Sequence, residues 1–455
     1  MSLRADLLEL IPDESRVSDG ESVLNGHSAD LTYHPRSLPD AVVFPTSTEE
    51  VGAVLAHANR NRIPVVPYGA GSSLEGHVIP IAGGIVLDLS RLDAIIEVRP
   101  ADMQATVQAG VARSALNAAA ANHGLQFPVD PGADATLGGM AATNASGTTT
   151  VRYGGMRMQV LSLEVVLADG TIIRPGSRAV KTSAGYDLRG LFVGSEGTLG
   201  VITELTLRLY GIPEHTVAVR ASFPDVGAAC RAAVAMIGSG VMVTRVELLD
   251  AETIAAVNAY KDAAYNEAPS LFIEFGGTEA GVAGDLEATR EIAGWEGCDS
   301  FESETQEEGR ARLWDARHTS FFALAARSPG KGSLSTDVAV PLSELPAAVE
   351  FARARADARG RNAIIIGHVG DGNFHVGLTI DPDDPADLAD ARALNDELVD
   401  FALERGGTCT GEHGIGLGKI DYLEREHGDL LPYYRGLKQV FDPNGILNPG
   451  KVLRR

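Results

Sequence analysis

The sequence predicts an α+β protein with more than one domain, and three observations support this. The chain has 455 residues, which is more than one ordinary hydrophobic core organises. Strand-like and helix-like segments alternate from residue 41 to residue 100. After Gly211-Ile212-Pro213 the pattern changes to β-runs separated by helical stretches, which favours a second α+β domain with an antiparallel sheet.

The first half begins with a short helix over ADLLELI and then alternates between the two kinds of segment. A capping residue among Thr46–Thr48 starts one helix, and Gly124 closes another. Asp169-Gly170 is a typical hairpin turn inside LSLEVVLADGTII. The other predicted strands are AVVFP, IPVVPYG, GGIVLDLS, ATVQAGV and VITELTLRLY, and the helices are TEEVGAVLAHANRN and ARSALNAAAANHG.

The second half contains the predicted strands TVAVRASF, SLFIEF and AIIIGHV. The stretch FHVGLTI follows the last of these as a strand, and LNDELVDFALERGG follows as a helix. The tail YYRGLKQVFDPNGILNPGKVL reads as a helix and then turns.

Composition excludes several classes of protein. The formal net charge of −23 argues against nucleic acid as a partner and against charge-driven binding to an anionic membrane. Three cysteines without CxxC spacing indicate a reducing compartment. The N-terminus resembles neither a secretory signal nor a basic transit peptide, and no apolar run predicts a transmembrane helix. The predicted location is therefore the cytoplasm, or the periphery of an inner membrane.

Glycine-rich segments are the strongest local signal. They are PYGAGSSLEG (67–76), the stretch 131–156 and GLFVGSEGTLGVIT (190–203). Glycine lets backbone N–H groups approach a ligand and form anion-binding nests, so we expect a cofactor that carries phosphate. For one such segment tight turns are the favoured explanation, but three together favour the cofactor.

Common nucleotide and nucleophile motifs do not match these segments. Gly69–Leu74 lacks the third glycine of GxGxxG, which argues against a Rossmann site. Gly445–Lys451 spells GxxxxGK, but Val452 replaces the Ser or Thr of a phosphate loop. Gly194–Gly197 is not a GxSxG nucleophile elbow.

Histidines and a carboxylate form a second signal. His368 and His375 lie in GHVGDGNFH, where two predicted strands meet in a tight loop, and GEHGIG adds Glu412 and His413. Two imidazoles and one carboxylate suit Zn²⁺ or Mn²⁺ and leave coordination positions open. A neighbouring histidine outside such a set is a candidate general base. Surface loop histidines, and a metal hydrolase that uses a metal-bound water, are the alternatives.

Seven motifs in order carry a family resemblance: PYGAGSSLEG, FPVDPGADATLGGMAATNASG, VRYGGMR, GLFVGSEGTLGVITELTLRL, GHVGDGNFH, GTCTGEHGIG and NPGKV. From about residue 36 onward the chain resembles FAD-linked D-2-hydroxy-acid dehydrogenases, a group of the vanillyl-alcohol oxidase / p-cresol methylhydroxylase type of flavoproteins. Within the group it is most similar to the FAD-dependent D-lactate dehydrogenases and the flavin subunit of glycolate oxidase.

The resemblance implies a two-lobed FAD-binding domain of the p-cresol methylhydroxylase (PCMH) type and an α+β substrate (cap) domain with an antiparallel sheet. The expected divisions are an N-terminal lead-in (1–35), the FAD domain (36–212), the substrate domain (213–410) and a C-terminal segment returning to the FAD domain (411–455). The residues implied to bind FAD are Tyr68, Gly69, Ala70, Gly71, Ser72, Ser73, Leu74, Pro131, Gly132, Ala133, Gly138, Gly139, Ala142, Ala145, Gly147, Gly197, Gly200, Ile202 and Asn448.

The resemblance also assigns roles at the second site. His368, His375 and Glu412 match the family's metal ligands, and His413 matches its catalytic base. Arg317 and Lys331 match positions that pair with the substrate carboxylate. Without the resemblance, the local sequence predicts that Arg317 is a solvated charge on a helix.

Two further positions bear on cofactor and substrate. His77 lies near where some relatives attach FAD covalently, but this subgroup implies non-covalent FAD. Gly377 stands where D-2-hydroxyglutarate enzymes carry an asparagine, which favours a smaller substrate.

The implied activity is oxidation of a D-2-hydroxy acid, with D-lactate favoured, by hydride transfer to flavin N5. Glycolate or D-2-hydroxyglutarate dehydrogenase is the alternative within the family, and an oxidase that reacts with O₂ is another. The sequence contains no haem or iron–sulfur motif, so an external electron acceptor is implied. The candidates are a quinone, a cytochrome, an electron-transfer flavoprotein or an Fe–S subunit. A homodimer is the assembly considered.

Overall fold

A computed structural model describes residues 2–381 and 383–454. The chain forms two compact units. Unit 1 contains the residues up to Ser146, Gly154–Ile212 and the residues from Glu412 onward, and unit 2 contains Gly147–Tyr153 and Pro213–Gly411. The structure departs from the predicted FAD domain at Gly147–Tyr153, which belongs to unit 2. Val151 explains this, because its side chain packs against Gly370 of unit 2. A Cβ on Gly370 would lie only 2.6 Å from the Cγ2 of Val151.

Helices and strands occur throughout both units. The helices are α1 (Leu3–Leu10), α2 (Glu21–Gly26), α3 (Thr48–Asn61), α4 (Arg113–Ala121), α5 (Leu137–Thr143), α6 (Thr150–Tyr153), α7 (Met156–Gln159), α8 (Leu188–Phe192), α9 (Val226–Gly238), α10 (Ala251–Lys261), α11 (Glu279–Trp295), α12 (Glu307–His318), α13 (Ser320–Arg327), α14 (Leu345–Ala358), α15 (Pro385–Glu404), α16 (Ile420–His427) and α17 (Leu431–Phe441). The strands are β1 (Val17–Ser18), β2 (Ala41–Val43), β3 (Val65–Tyr68), β4 (Ile85–Asp88), β5 (Ile95–Arg99), β6 (Gln104–Gln108), β7 (Leu125–Gln126), β8 (Val160–Val166), β9 (Ile172–Ile173), β10 (Val201–Arg208), β11 (Tyr210–Gly211), β12 (His215–Ser222), β13 (Val243–Leu249), β14 (Ser270–Gly277), β15 (Ser300–Glu304), β16 (Gly332–Ser335), β17 (Val338–Ala339), β18 (Ala363–His368) and β19 (Asn373–Ile380).

The first sheet of unit 1 has the order β1-β2-β4-β3, with β2, β4 and β3 parallel. Its strands are apolar on both faces. Val43 joins the main core of the unit, whereas its neighbour Val42 joins a second small cluster on the other face. Helix α3 connects β2 to β3, and the Oγ of Ser47 caps it by accepting from the N–H of Glu50 at 3.2 Å. Strand β3 ends at Tyr68, so the glycines of the first glycine-rich segment directly follow the strand.

The second sheet of unit 1 is antiparallel, with the order β5-β6-β10-β8-β9. Strands β8 and β9 form the predicted hairpin, and Gly170 takes a φ of 90° in its turn. A two-stranded sheet pairs β7 with β11. The C-terminal tail lies along β3, because the N–H of Val65 donates to the carbonyl of Ile446 at 2.8 Å and the N–H of Asn448 donates to Val65 at 2.8 Å.

Unit 2 is organised by one large sheet with the order β15-β12-β14-β13-β18-β19-β16, and β17 also pairs with β19. All its pairings are antiparallel among the residues that the structure describes. Strands β18 and β19 form a hairpin, and Gly372 in its turn lies so close to β17's neighbour Val340 that a Cβ would meet the carbonyl oxygen at 2.1 Å. This hairpin carries both predicted histidine ligands.

Across residues 2–381 and 383–454, no helix combines the length and apolarity needed to cross a bilayer.

Candidate functional site

A cleft in unit 1 collects the glycine-rich loops. Its lining contains all the residues predicted to bind FAD except Gly132 and Gly147. Gly132 lies exposed in a turn, and Gly147 belongs to unit 2. The predicted residues that line the cleft are Tyr68, Gly69, Ala70, Gly71, Ser72, Ser73, Leu74, Pro131, Ala133, Gly138, Gly139, Ala142, Ala145, Gly197, Gly200, Ile202 and Asn448.

Two glycines explain why the first loop can approach a ligand with its backbone. Gly71 takes a φ of 66°, and a Cβ there would lie 2.2 Å from the Oη of Tyr68. A Cβ on Gly69 would lie 2.4 Å from the Oγ1 of Thr136. A side chain at either position would displace Tyr68 or Thr136, so peptide groups form this wall of the cleft.

The donor chemistry of the cleft fits a dinucleotide cofactor. The Oγ of Ser73 is buried, and the described residues offer it no hydrogen-bond partner. A buried hydroxyl without a partner costs free energy that a bound polar group recovers. Together with the glycine backbone, this hydroxyl suits the phosphates and hydroxyls of such a cofactor.

A buried ion pair lies beside the cleft. His77 Nε2 is 3.2 Å from Glu196 Oε2, and Glu196 also accepts from the N–H groups of Ile415 and Gly416 at 2.7 and 2.8 Å. Burial lowers the pKa of His77, but the nearby carboxylates outweigh burial and raise the pKa overall. Asn448 also donates to the backbone carbonyl of Glu196 at 2.8 Å. Glu196 therefore holds the C-terminal segment on the cleft.

Glu412 and His413 also line the cleft in unit 1. The hydroxyl of Ser146 donates to Glu412 Oε2 at 3.0 Å, which fixes one oxygen of that carboxylate. His413 Nδ1 lies 3.9 Å from Glu75 Oε1. The predicted base therefore shares a cleft with the predicted cofactor-binding residues.

The two predicted histidine ligands are neighbours in unit 2. Their ring centroids are 5.6 Å apart, and both rings are buried. His368 Nδ1 lies 2.7 Å from Glu247 Oε1, and His375 Nδ1 lies 3.1 Å from the carbonyl oxygen of Thr336. An acceptor at each Nδ1 favours the tautomer whose proton sits there, which puts the lone pair on Nε2. Both imidazoles are thus oriented as metal ligands require.

Arg317 joins the same group through Glu247. The Nε of Arg317 donates to Glu247 Oε2 at 2.8 Å, so one carboxylate contacts both His368 and Arg317. Burial opposes ionisation of Glu247, but its interactions with His368 and Arg317 outweigh burial and hold its pKa below the usual value. Arg317 is buried, so the alternative of a solvated helix charge is wrong.

Lys331 lies elsewhere in unit 2. It is exposed and directly precedes β16, whose first residue Gly332 pairs with Ile380. His375 is five residues from Ile380 along β19, which corresponds to roughly 17 Å of strand. The register therefore does not bring Lys331 to the histidines.

Gly377 has a packing role. A Cβ there would lie 2.9 Å from Ile364 Cγ1 and 3.0 Å from Leu324 Cδ2. Residues 375 and 377 share a face of β19, so helix α13 covers the strand next to His375.

Sequence reasoning missed several polar residues of these sites. Glu247 is a lone acid in the apolar strand VTRVELL, and that pattern was the available signal for a buried carboxylate. Asp337 is fully buried and accepts from Asn373 at 2.8 Å and from Thr410 at 2.7 Å. Thr136, Ser146 and Glu196 also line the cleft; they lie inside the quoted motifs but were not among the residues predicted to bind FAD.

Similarity to solved structures and to a family model defines the fold and the cofactor class of the protein. A structure titled p-cresol methylhydroxylase with substrate bound matches with a TM-score of 0.82 at 20% identity, covering 98% of this chain and 95% of that one. The fold is therefore a PCMH-type FAD-binding fold with a second α+β unit, and the predicted fold class is confirmed. Residues 39–176 match the family described as FAD binding domain.

The chain belongs to the FAD-linked oxidase family, since residues 212–452 match the description "FAD linked oxidases, C-terminal domain". It is 45% identical to "Probable D-lactate dehydrogenase, mitochondrial" of Danio rerio, covering 97% of this chain and 90% of the relative. It is 41% identical to "D-lactate dehydrogenase [cytochrome], mitochondrial" of Arabidopsis thaliana (99% and 80%) and 35% identical to "Glycolate oxidase subunit GlcD" of Bacillus subtilis (94% and 92%). The predicted family and the enzyme class, an FAD-dependent oxidoreductase, are confirmed.

The predicted cytoplasmic location is wrong by the same comparison. The relatives from Danio rerio and Arabidopsis thaliana are both named mitochondrial. Early acidic residues at the N-terminus were therefore a poor guide to location.

Proposed function

We propose that this enzyme oxidises a D-2-hydroxy acid, with D-lactate favoured, to the 2-oxo acid, using FAD and a divalent metal ion. One observation carries the proposal: two buried imidazoles stand side by side, each with Nδ1 held by an acceptor and its lone pair on Nε2. This arrangement suits a metal that chelates a hydroxy acid, in a chain whose family is FAD-linked.

His368, His375 and Glu412 are the proposed metal ligands. Chain continuity supports the third member, because Glu412 directly follows Gly411. Gly411 lies so close to Asn373 that a Cβ would be 2.2 Å from its Nδ2, and Asn373 is two residues from His375. Two imidazoles and a carboxylate suit Zn²⁺ or Mn²⁺, and such an ion would supply Lewis acidity toward the α-hydroxyl.

His413 is the proposed general base. It lines the cleft together with the residues that would hold FAD non-covalently, and its side chain is mostly shielded from solvent. Its Nε2 would accept the proton of the α-hydroxyl as the carbonyl forms. Bound FAD would supply the two-electron acceptor for the hydride that leaves Cα.

Arg317 is proposed to bind the substrate carboxylate. Its Nε is engaged by Glu247, which fixes the plane of the guanidinium and leaves the two terminal nitrogens as donors for a carboxylate. Lys331 is left out of the proposal because of its exposed position and its register on β16.

D-lactate is favoured over other 2-hydroxy acids for two reasons. The relatives at 45% and 41% identity are named D-lactate dehydrogenases, whereas the glycolate oxidase subunit is 35% identical. Gly377 offers no amide for a second carboxylate, and the space beside it is filled by Ile364 and Leu324. Glycolate is the second candidate substrate.

Electrons from the reduced cofactor would leave to an external acceptor. A cytochrome is favoured because the Arabidopsis thaliana relative carries that word in its name. A quinone, an electron-transfer flavoprotein or an Fe–S subunit are the other candidates.

A turnover panel tests the proposal. Purified protein with a known flavin content is assayed on D- and L-lactate, glycolate and D-2-hydroxyglutarate with a dye acceptor, before and after chelation and with Zn²⁺ or Mn²⁺ restored. We expect D-lactate to have the highest kcat/KM and chelation to abolish turnover. Preference for another acid refutes the substrate, and full activity after complete metal removal refutes the metal role. Peroxide formation without dye would indicate an oxidase.

His413→Ala tests the base in the same assay. Turnover should fall sharply while flavin absorbance remains. Near-normal turnover would refute the assignment.

A further inference from the structure

A buried carboxylate outside the roles described above faces the proposed base. Glu75 follows the first glycine-rich loop, is 6% exposed, and places Oε1 3.1 Å from the Nζ of Lys419. Lys419 is 2% exposed. Burying two charged side chains is costly unless both are held in good geometry, so this pair calls for an explanation.

Backbone contacts fix where Glu75 stands. The N–H of Leu417 donates to the carbonyl of Glu75 at 2.7 Å. A Cβ on Gly416 would lie 2.1 Å from that carbonyl oxygen, and a Cβ on Gly418 would lie 2.2 Å from Glu75 Oε2. Two glycines thus allow the segment after His413 to close around both the backbone and the carboxylate of Glu75.

From this geometry we propose that Glu75 is the positioning residue for His413. Its Oε1 lies 3.9 Å from His413 Nδ1, the ring nitrogen that does not take the substrate proton in the proposed role. The separation is longer than a hydrogen bond, and catalytic hydrogen bonds commonly shorten when substrate binds. The proposal rests on the proposed role of His413 as the base.

The carboxylate orients the imidazole through Nδ1. A proton on Nδ1 directed at Glu75 places the lone pair on Nε2, the nitrogen that takes the hydroxyl proton. Carboxylate–histidine pairs set the tautomer and the ring orientation of catalytic histidines in the same way. Lys419 in turn holds Glu75, so two buried side chains support the base.

A double-mutant cycle separates this role from a purely structural one. Glu75→Gln is measured alone and together with His413→Gln, and the readout is the single-turnover rate at which excess D-lactate bleaches the flavin, per bound flavin. If Glu75 acts through His413, Glu75→Gln should slow bleaching about 10- to 100-fold in the wild-type background. It should have little further effect once His413 is replaced.

Asp442→Asn is the matched control. Asp442 is also a buried carboxylate paired with a lysine of the C-terminal segment, Lys438, at 2.6 Å, and it accepts from Ile446 and Leu447. Any effect of Asp442→Asn should be equal in both His413 backgrounds. If Glu75→Gln loses its flavin, Glu75→Asp takes its place in the cycle, because it keeps the charge and shortens the side chain. We expect Glu75→Asp to bleach more slowly than the wild type and to add little slowing in the His413→Gln background.

Each outcome decides the proposal. Equal slowing by Glu75→Gln in both backgrounds, or no slowing at all, overturns the role of Glu75 and leaves the proposed function standing. Failure of every 2-hydroxy acid in the panel to bleach the wild-type flavin overturns both. Slowing that disappears in the His413→Gln background supports the proposal.

Discussion

Glu247 Oε1 lies 2.7 Å from the Nδ1 of His368, while its other oxygen accepts from Arg317 at 2.8 Å. A single fully buried carboxylate therefore orients a proposed metal ligand and a proposed substrate-binding guanidinium. Strand β13 supplies this carboxylate, strand β18 the histidine and helix α12 the arginine. The metal and the substrate carboxylate would thus be placed by one rigid group of side chains.

Replacing Glu247 by Gln should weaken metal binding about 10- to 100-fold, because the amide cannot favour the Nδ1 proton as a carboxylate does. Metal affinity is measured by competition with a chromophoric chelator. Glu397→Gln is the control, since Glu397 of helix α15 is a carboxylate paired with Arg355 of helix α14 and with Arg359, which directly follows that helix. Unchanged metal affinity in the Glu247 variant would show that His368 is oriented by other contacts.

Local sequence signals predicted the cleft well. Glycine positions depend on backbone conformation within a few residues, so Gly69, Gly71 and Gly197 could be recognised before the structure was known. Gly71 and Gly197 take positive φ, and a Cβ on Gly69 would strike Thr136. The hairpin at Asp169-Gly170 is equally local. Such features need no knowledge of distant partners.

Long-range pairing set the limit of prediction. Glu247 is 121 residues from His368, so no spacing rule connects them. Lys331 matched a family position, yet its place is decided by the register of β16 on β19. Gly147 lies in a glycine-rich stretch like its neighbours, but the packing of Val151 against Gly370 assigns it to unit 2. Each of these placements depends on a contact that only the folded chain creates.

Gly71→Ala should reduce FAD binding by tenfold or more. The left-handed backbone costs about 1–2 kcal/mol for alanine, and the new Cβ would also displace Tyr68 from the cleft wall. Gly124→Ala is a matched control, because Gly124 has a φ of 68° but nothing within 4 Å of its Cβ position. Flavin content and FAD affinity are measured for both variants. Equal loss in the two would mean that backbone strain, and not the contact with Tyr68, governs the result.

Gly377→Asn should destabilise the protein without adding a new substrate. The Cβ would press on Ile364 and Leu324, and overpacking of this kind costs about 1–3 kcal/mol. We expect a lower melting temperature and no gain in turnover of D-2-hydroxyglutarate. The stability lost in the double variant with Leu324→Ala should be smaller than the sum of the two single losses, because the shorter side chain removes one of the two contacts. A rise in D-2-hydroxyglutarate turnover in the single variant would contradict this account of the position.

His27 should make the stability of unit 1 depend on pH. Its Nδ1 lies 2.8 Å from the carbonyl oxygen of Val23 and its Nε2 lies 2.9 Å from Asp88 Oδ2, so two acceptors face the two ring nitrogens. Burial lowers the pKa of His27, but these hydrogen bonds and the charge of Asp88 outweigh burial and raise the pKa overall. A group whose pKa is higher in the folded state stabilises the fold when it is protonated. This contribution is complete below the pKa of the unfolded state and disappears as the pH rises through the pKa of the folded state.

The difference in urea stability between the wild type and His27→Gln should therefore be largest below the ordinary histidine pKa of about 6.5 and shrink as the pH rises through the raised pKa of the folded state. Asp88→Asn should remove most of this pH dependence, because it removes the acceptor at Nε2 and its charge. The ring of His27 packs against Tyr68 with centroids 4.7 Å apart, so replacing His27 should also loosen the wall of the cleft that Tyr68 forms. A difference that stays constant or widens with rising pH would mean that His27 is neutral in the folded protein.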